Sequence, residues 1–109
     1  MSILFVGDRA MRTLNRTYRG KDRTTDVLSF SLREGAFPQL HRQVLGDIVI
    51  SLPTAARQAK AAGDTVQREV DRLLVHGLLH LMGYDHEGGA AQERAMQSAE
   101  RRLLRVLDR

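Results

Sequence analysis

The sequence HGLLHLMGYDH, from His76 to His86, holds three of the four histidines of this 109-residue chain. Residues four apart in an α-helix lie on one face, so His76 and His80 can direct their rings at one point. Gly83 can adopt a left-handed conformation that ends the helix and turns the chain back, which would bring His86 to the same point. Three imidazoles leave the fourth position of a tetrahedral zinc ion open for water. The spacing therefore predicts a catalytic site at the end of this helix, in which one Zn²⁺ ion is bound by His76, His80 and His86.

Two other interpretations of these histidines stay open. A histidine beside an apolar stripe is often a hydrogen-bonded structural residue, and a bound metal could also serve only to hold the fold. Closed structural zinc sites normally use cysteine, and this chain has none. Ligand type favours zinc, but three imidazoles also suit Ni²⁺ or another divalent ion. The sequence thus predicts a metal site, with zinc as its expected metal.

The segments around the histidines predict one α+β domain over residues 1–109, with a small mixed β-sheet packed against about four helices. Short β-branched and aromatic runs predict strands at 3–6, 27–31 and 46–51. Helix-start and helix-stop residues predict helices at about 8–18, 52–62, 65–82 and 89–107. Asp8 is the expected cap of the first helix. Glycine and proline within residues 33–44 predict a loop between the second and third strands.

Apolar periodicity predicts which helix faces are buried. In the first helix, the expected inward residues are Ala10, Met11, Leu14 and Tyr18. In the central helix, the stripe consists of Val66, Val70, Leu73, Leu74, Gly77, Leu78 and Leu81. Glu69 lies on the same line as the histidines at the flank of this stripe, and is expected to be a surface carboxylate or to lie behind the ligands. In the last helix, the expected inward residues are Met96, Ala99, Leu103, Val106 and Leu107.

The amino-acid composition is typical of a water-soluble globular protein. Hydrophobic residues make up 42% and charged residues 28%, which is ordinary for a water-soluble globular protein. No apolar run approaches the ~20 residues that cross a membrane, so no membrane partner is expected. The lack of cysteine suits a reducing cytosol, and a cytoplasmic location is predicted. A formal net charge of +4 agrees with a polyanionic partner.

The stretch at residues 76–86 resembles two families. The metzincin proteases share the frame H-x3-H-x2-G-x2-H, but they carry glutamate as general base directly after the first histidine, where this chain has Gly77. The whole string is more similar to the signature of the YbeY family, metal-dependent endoribonucleases of bacterial ribosomal RNA maturation. Two further stretches resemble that family in the same order: NRTYRGKD with TDVLSF at 15–30, and LGDIVIS at 45–51.

The YbeY resemblance implies a zinc-dependent, single-strand-specific endoribonuclease that acts in ribosomal RNA maturation and ribosome quality control. Its expected partners are single-stranded RNA, ribosomal RNA and the small ribosomal subunit. The family normally has one more strand and helix ahead of the segment that begins here, so a smaller sheet with a less protected edge is expected. The oligomeric state stays open. The alternatives are a metalloprotease-like hydrolase, or a non-enzymatic ribosome assembly factor whose zinc holds the fold.

The same resemblance makes Arg19 an active-site residue, because it matches the arginine of the family's NxxYRxKD stretch. A guanidinium binds phosphate through two parallel hydrogen bonds. Asp85, beside His86, could orient a ligand imidazole or accept a proton from the attacking water, or it could be a turn residue. The general base and the nucleophile therefore stay open. Arg9, Arg12 and Arg16 form a basic helix face that Lys21 and Arg23 extend, and this face could follow an RNA backbone.

Overall fold

The computed structural model describes residues 2–31, 46–83 and 89–107, which form three strands and four helices. The strands are β1 (Ser2–Val6), β2 (Val27–Ser31) and β3 (Gly46–Ser51). The helices are α1 (Asp8–Arg19), α2 (Leu52–Ala62), α3 (Val66–Leu81) and α4 (Ala90–Leu107). The predicted α+β class is confirmed. The loop predicted at 33–44 lies outside the described residues. No helix in the described ranges is long and apolar enough to cross a membrane.

The sheet is mixed and has the strand order β1-β3-β2. The central strand, β3, pairs in parallel with β1 and antiparallel with β2. Its residues Ile48, Val49 and Ile50 are buried, as expected of a strand covered on both faces. By contrast, Phe5 of the edge strand β1 is 49% exposed.

Gly46 determines how β2 meets β3. Its φ is +145°, and a β-carbon placed there would overlap the carbonyl oxygen of Phe30. Only glycine accepts this backbone conformation without strain and without that overlap. The pairing of Gly46 with Ser31 is thereby fixed at the first position of the ladder. Register in turn decides which β2 side chains face the helices.

Helix α3 has two buried faces. Thr65 caps its start by accepting a hydrogen bond from the backbone N–H of Arg68, and Gly83 follows its end with a φ of +99°. One face, which includes Leu73, packs on Ile48 and Ile50 of the sheet. The sequence stripe did not include the second face, where the side chains that pack together are Val75 and Leu79 of α3 with Met96 and Ala99 of α4. Helix α3 therefore lies between the sheet and α4.

Some expectations about helix faces and caps were wrong. Ala10 of α1 is exposed. Val66 and Val106 are 44% and 56% exposed, and each lies at or next to a helix end. Tyr18 of α1 is 60% exposed, and the buried residues of that helix are Met11 and Asn15. Gly7, and not Asp8, is the N-cap of α1.

Asp8 connects α1 to the junction between β3 and α2. Its carboxylate accepts hydrogen bonds from the hydroxyls of Ser51 and Thr54, both at 2.6 Å, and from Nη2 of Arg57 at 2.7 Å. These donors stabilise the ionised form and hold the pKa of Asp8 well below its ordinary range, with the Ser51 hydroxyl as the largest cause. The interaction positions α1, at whose far end Arg19 lies.

We expect Asp8→Asn to lower the urea midpoint of unfolding at pH 7, because the neutral amide loses the charge that these donors stabilise. A carboxyl whose pKa is depressed in the folded state stabilises it above the unfolded pKa, about 3.9, and loses that contribution as the pH falls toward the folded pKa. The difference in urea midpoint between wild type and variant should therefore be largest above pH 5 and should decrease as the pH falls below about 4. Urea titrations followed by circular dichroism measure it.

The control for this prediction is Asp71→Asn, since Asp71 accepts one hydrogen bond, from the uncharged Gln67. It should leave the urea midpoint nearly unchanged at pH 7. A gap for Asp8→Asn that stays constant down to pH 2 would contradict the assignment of this carboxylate.

Candidate metal and phosphate site

His76 and His80 direct the same ring atom toward one point. Both lie in the last two turns of α3, and their Nε2 atoms are 3.1 Å apart. Their ring centroids are 4.6 Å apart with an interplanar angle of 73°. Two nitrogens at ~2.0–2.1 Å from a tetrahedral zinc ion would be about 3.3 Å apart, so the pair fits such an ion closely. The four-residue spacing thus produces the convergence that the sequence predicted for these two residues.

Glu100 of α4 lies behind His76. The Nδ1 atom of His76 is 2.9 Å from Oε1 of Glu100, and both side chains are largely shielded from solvent. An ionised carboxylate can only accept, so Nδ1 carries a proton, and in the neutral imidazole Nε2 then presents its lone pair on the side of His80. Metal-binding histidines usually have such a carboxylate or carbonyl partner on the other ring nitrogen. The donor set and its tautomer therefore fit a zinc ion.

The third predicted ligand, His86, lies outside the described residues, as does Asp85. Among residues 2–31, 46–83 and 89–107, no group of three histidine, cysteine, aspartate or glutamate side chains could hold a metal ion. Full coordination by this chain thus depends on a residue beyond those ranges. The role of His86 as a ligand and the two roles considered for Asp85 stay predictions.

Arg19 lies at the C-terminal end of α1 and reaches strand β2. Its Nη2 donates a hydrogen bond to the carbonyl oxygen of Ser29, and its guanidinium carbon lies 5.2 Å from the centre of the Phe30 ring. The hydrogen bond and the cation–π contact fix the plane of the guanidinium. One of its five N–H groups is used by Ser29, and others can bind an anion in the adjoining cleft.

The histidines and Arg19 line one open cleft of about 420 Å³. Its walls come from β2 and the segment before it on one side and from the end of α3 on the other. The ten lining residues are Arg19, Thr25, Asp26, Val27, Leu28, Ser29, Ser31, His76, His80 and Leu81. A phosphate in this cleft would meet a cation on one wall and two imidazole nitrogens on the other.

Asp26 is a carboxylate of this cleft that the sequence analysis did not select. Its Oδ1 accepts from the backbone N–H of Val27 at 2.8 Å, and its Oδ2 accepts from Nε2 of Gln58 at 3.3 Å. Both oxygens therefore have local partners, which supports a role in holding the start of β2. The TD dipeptide before a strand was the available signal, because aspartate commonly bonds to the backbone beside it.

Gly77 lies where α3 approaches the sheet most closely. A β-carbon there would be 3.0 Å from Cγ2 of Ile48 and 3.2 Å from Oγ of Ser29. The Ser29 hydroxyl also donates to the Gly77 carbonyl at 3.2 Å. A side chain at the position that carries glutamate in metzincin proteases would therefore crowd Ile48 and Ser29 here. This packing argues against the metalloprotease alternative.

Two acidic residues differ from what sequence reasoning expected. Glu69 is only 5% exposed, and its carboxylate accepts from Nη2 of Arg72 at 2.7 Å, so it is a buried member of an ion pair rather than a surface group. Glu100 was not predicted at all. It follows Met96 by one helical turn, at the border of the inward face of α4, and a carboxylate at that border was the only signal for it.

Residues 1–108 match the family model described as Endoribonuclease YbeY. A relative with that name from Geobacter sulfurreducens is 46% identical over 109 residues, which cover 99% of this chain and 73% of the relative. Another with that name, from Anaeromyxobacter dehalogenans, is 54% identical over 106 residues, which cover 97% of this chain and 53% of the relative. The chain therefore spans between about half and three quarters of the length of these relatives.

The fold is also similar to a solved structure. The solution structure of TM1509 from Thermotoga maritima superposes with a TM-score of 0.65 at 30% identity. The match covers 94% of this chain and 63% of that one. This likeness supports the α+β fold described above.

We expect Glu100→Ala to weaken zinc binding by about 10–100-fold, because His76 loses the carboxylate that fixes its tautomer and ring orientation. Competition with a chromophoric chelator measures the affinity, and circular dichroism shows whether α4 stays folded. Glu93→Ala is the matched control, since Glu93 has the same charge and lies two turns earlier on α4. Equal zinc affinity of both variants and the wild type would contradict the role given to Glu100.

Proposed function

This chain belongs to the endoribonuclease YbeY family, and on that premise we propose that it is a zinc-dependent endoribonuclease acting on single-stranded RNA. The observation that carries the proposal is the shared cleft, which is lined by Arg19 and by His76 and His80 with their converging Nε2 atoms. Phosphodiester cleavage requires a cation for the phosphate oxygens and a means to activate the attacking group. In this proposal Arg19 is the cation, and a metal held by the histidines activates the attacking group.

The histidines hold the metal in this proposal. His76 and His80 provide two nitrogens, and His86 is the proposed third ligand. When bound, the zinc ion supplies a Lewis acid for a phosphoryl oxygen and lowers the pKa of water toward ~7. Glu100 keeps the proton of His76 on Nδ1, so that the opposite nitrogen stays available.

Arg19 binds and orients the scissile phosphate. Ser29 and Phe30 fix its guanidinium before any substrate enters, which reduces the entropy lost when the phosphate binds. A fixed cation also stabilises negative charge that develops on the phosphoryl oxygens in the transition state. Lysine is expected to be a poor substitute for Arg19, since its ammonium cannot bind the Ser29 carbonyl and a phosphate in one plane.

The single-stranded substrate is taken from the resemblance to the family. Bases of a single strand can be turned outward while the backbone enters an open cleft. Asp85 remains a candidate for orienting a ligand or accepting the proton of the attacking group.

We extend the proposal to ribosomal RNA maturation and ribosome quality control in the cytoplasm, with the small ribosomal subunit as partner. The support is the resemblance of three sequence stretches, together with a net charge of +4 that suits a polyanionic partner. A non-enzymatic assembly factor would share this charge, but it would have no need of a prepositioned arginine in the metal cleft.

We expect Arg19→Lys to lower kcat/KM for a labelled single-stranded RNA by about a hundredfold, because the planar two-point contact with phosphate is lost while the charge stays. His80→Ala and a chelator should each abolish cleavage. Gel analysis of the labelled RNA measures these changes, and zinc content is measured for each variant.

The matched control is Arg105→Lys, an exposed arginine in the last turn of α4. It should cleave RNA at the wild-type rate. Folded, zinc-loaded wild-type protein that cuts neither free RNA nor RNA within the small subunit would favour the assembly-factor alternative. Cleavage of an unstructured peptide in the same tube would favour a protease.

A further inference from the structure

We propose that Lys21 and Arg23 form a second contact site for RNA phosphate, in a groove that continues from the cleft of Arg19. This inference rests on the proposed function and specifies how its substrate is held. Of the basic residues predicted to follow an RNA backbone, only Lys21 and Arg23 are assigned to this site. The cleft places one phosphate, whereas the groove would bind the strand beyond it.

The groove and the cleft are continuous. A depression of about 250 Å³ is lined by Asn15, Arg19, Lys21, Arg23, Thr25 and Leu28. Three of these residues, Arg19, Thr25 and Leu28, also line the cleft that contains the histidines. A strand with one phosphate at Arg19 can therefore continue into the groove without leaving the protein surface.

The backbone that carries the two cations is held in place by Asn15. The side chain of Asn15 is 3% exposed, and its Nδ2 donates to the carbonyl oxygen of Arg23 at 2.8 Å. The backbone N–H of Lys21 donates to the carbonyl oxygen of Asn15 at 3.3 Å, next to the left-handed Gly20 that ends α1. Two exposed cations thus project from a segment ordered before RNA binds.

Asp22 engages the neighbouring arginines of α1. Its carboxylate accepts from Nε of Arg12 at 2.9 Å and from Nη2 at 3.2 Å, while Nη1 of Arg16 lies 3.9 Å away. The Arg12 guanidinium keeps the pKa of Asp22 below its usual value, so this pair is ionised at neutral pH. A phosphate would have to break that pair to use Arg12.

Lys21 and Arg23 are placed differently from these arginines. Within the described part of the chain, neither forms an ion pair with a carboxylate, and both are exposed. Their charges are therefore available to phosphate without an exchange of partners. The local charge favours a polyanionic strand over a peptide segment of mixed charge.

The test measures binding of a labelled single-stranded RNA to the zinc-loaded protein at 4 °C, with the RNA checked for integrity afterwards. We expect the double variant Lys21→Ala with Arg23→Ala to weaken binding by about tenfold at low salt. Each phosphate contact on a single strand contributes about 0.7 to the slope of log K against log salt. Loss of two contacts should therefore flatten that slope by about 1.4.

The matched control is the double variant Arg102→Ala with Arg105→Ala, which removes the same charge from exposed positions of α4. It should keep the wild-type slope and nearly the wild-type affinity. The second contact site would be overturned if both double variants weaken RNA binding equally, or if neither weakens it. RNA cleavage is scored separately with wild-type protein, so absence of cleavage counts against the nuclease proposal alone. If the wild type cleaves RNA but the Lys21→Ala, Arg23→Ala variant binds RNA as tightly as the wild type, only the second contact site is contradicted.

Discussion

The close approach of α3 to the sheet at Gly77 is the contact on which the rest of the site depends. Because this position has no side chain, the helix backbone lies against Ile48 and Ser29. His76 and His80 then lie beside strand β2 rather than a side-chain layer away from it. The carbonyl of the same Ser29 residue accepts the hydrogen bond from Arg19. One glycine thus brings the converging nitrogens of His76 and His80 and the guanidinium of Arg19 to a single cleft.

The second support of the site comes from the opposite side of α3. Helix α4 packs on Val75 and Leu79, and this packing places Glu100 within hydrogen-bond distance of His76. The ring is therefore held by its own helix and by a neighbouring one. Such support from two helices suits a metal ligand. A ring that rotates freely must be fixed when the metal binds, and the entropy lost then lowers the affinity for the metal.

Much of this arrangement could be predicted from the sequence, and the reasons for success are local. The strands and helix ends follow from β-branched runs, from Thr65 and from the glycines that end helices. The convergence of His76 and His80 follows from helical geometry alone. What could not be predicted depends on tertiary packing. The second apolar face of α3 and the partner of His76 require knowledge of which side α4 covers. Aspartate is a common helix cap, yet the carboxylate of Asp8 accepts hydrogen bonds from three residues that are distant in sequence instead.

We propose that the chain holds one zinc ion through imidazole nitrogens in the cleft of Arg19. Zinc K-edge X-ray absorption on protein loaded with one equivalent of metal identifies the ligands of that ion. We expect three imidazole nitrogens and one oxygen, with Zn–N distances of ~2.0–2.1 Å. His80→Ala should remove one imidazole from that set of ligands. A spectrum dominated by oxygen ligands, or one that His80→Ala leaves unchanged, would show that these histidines do not bind the zinc.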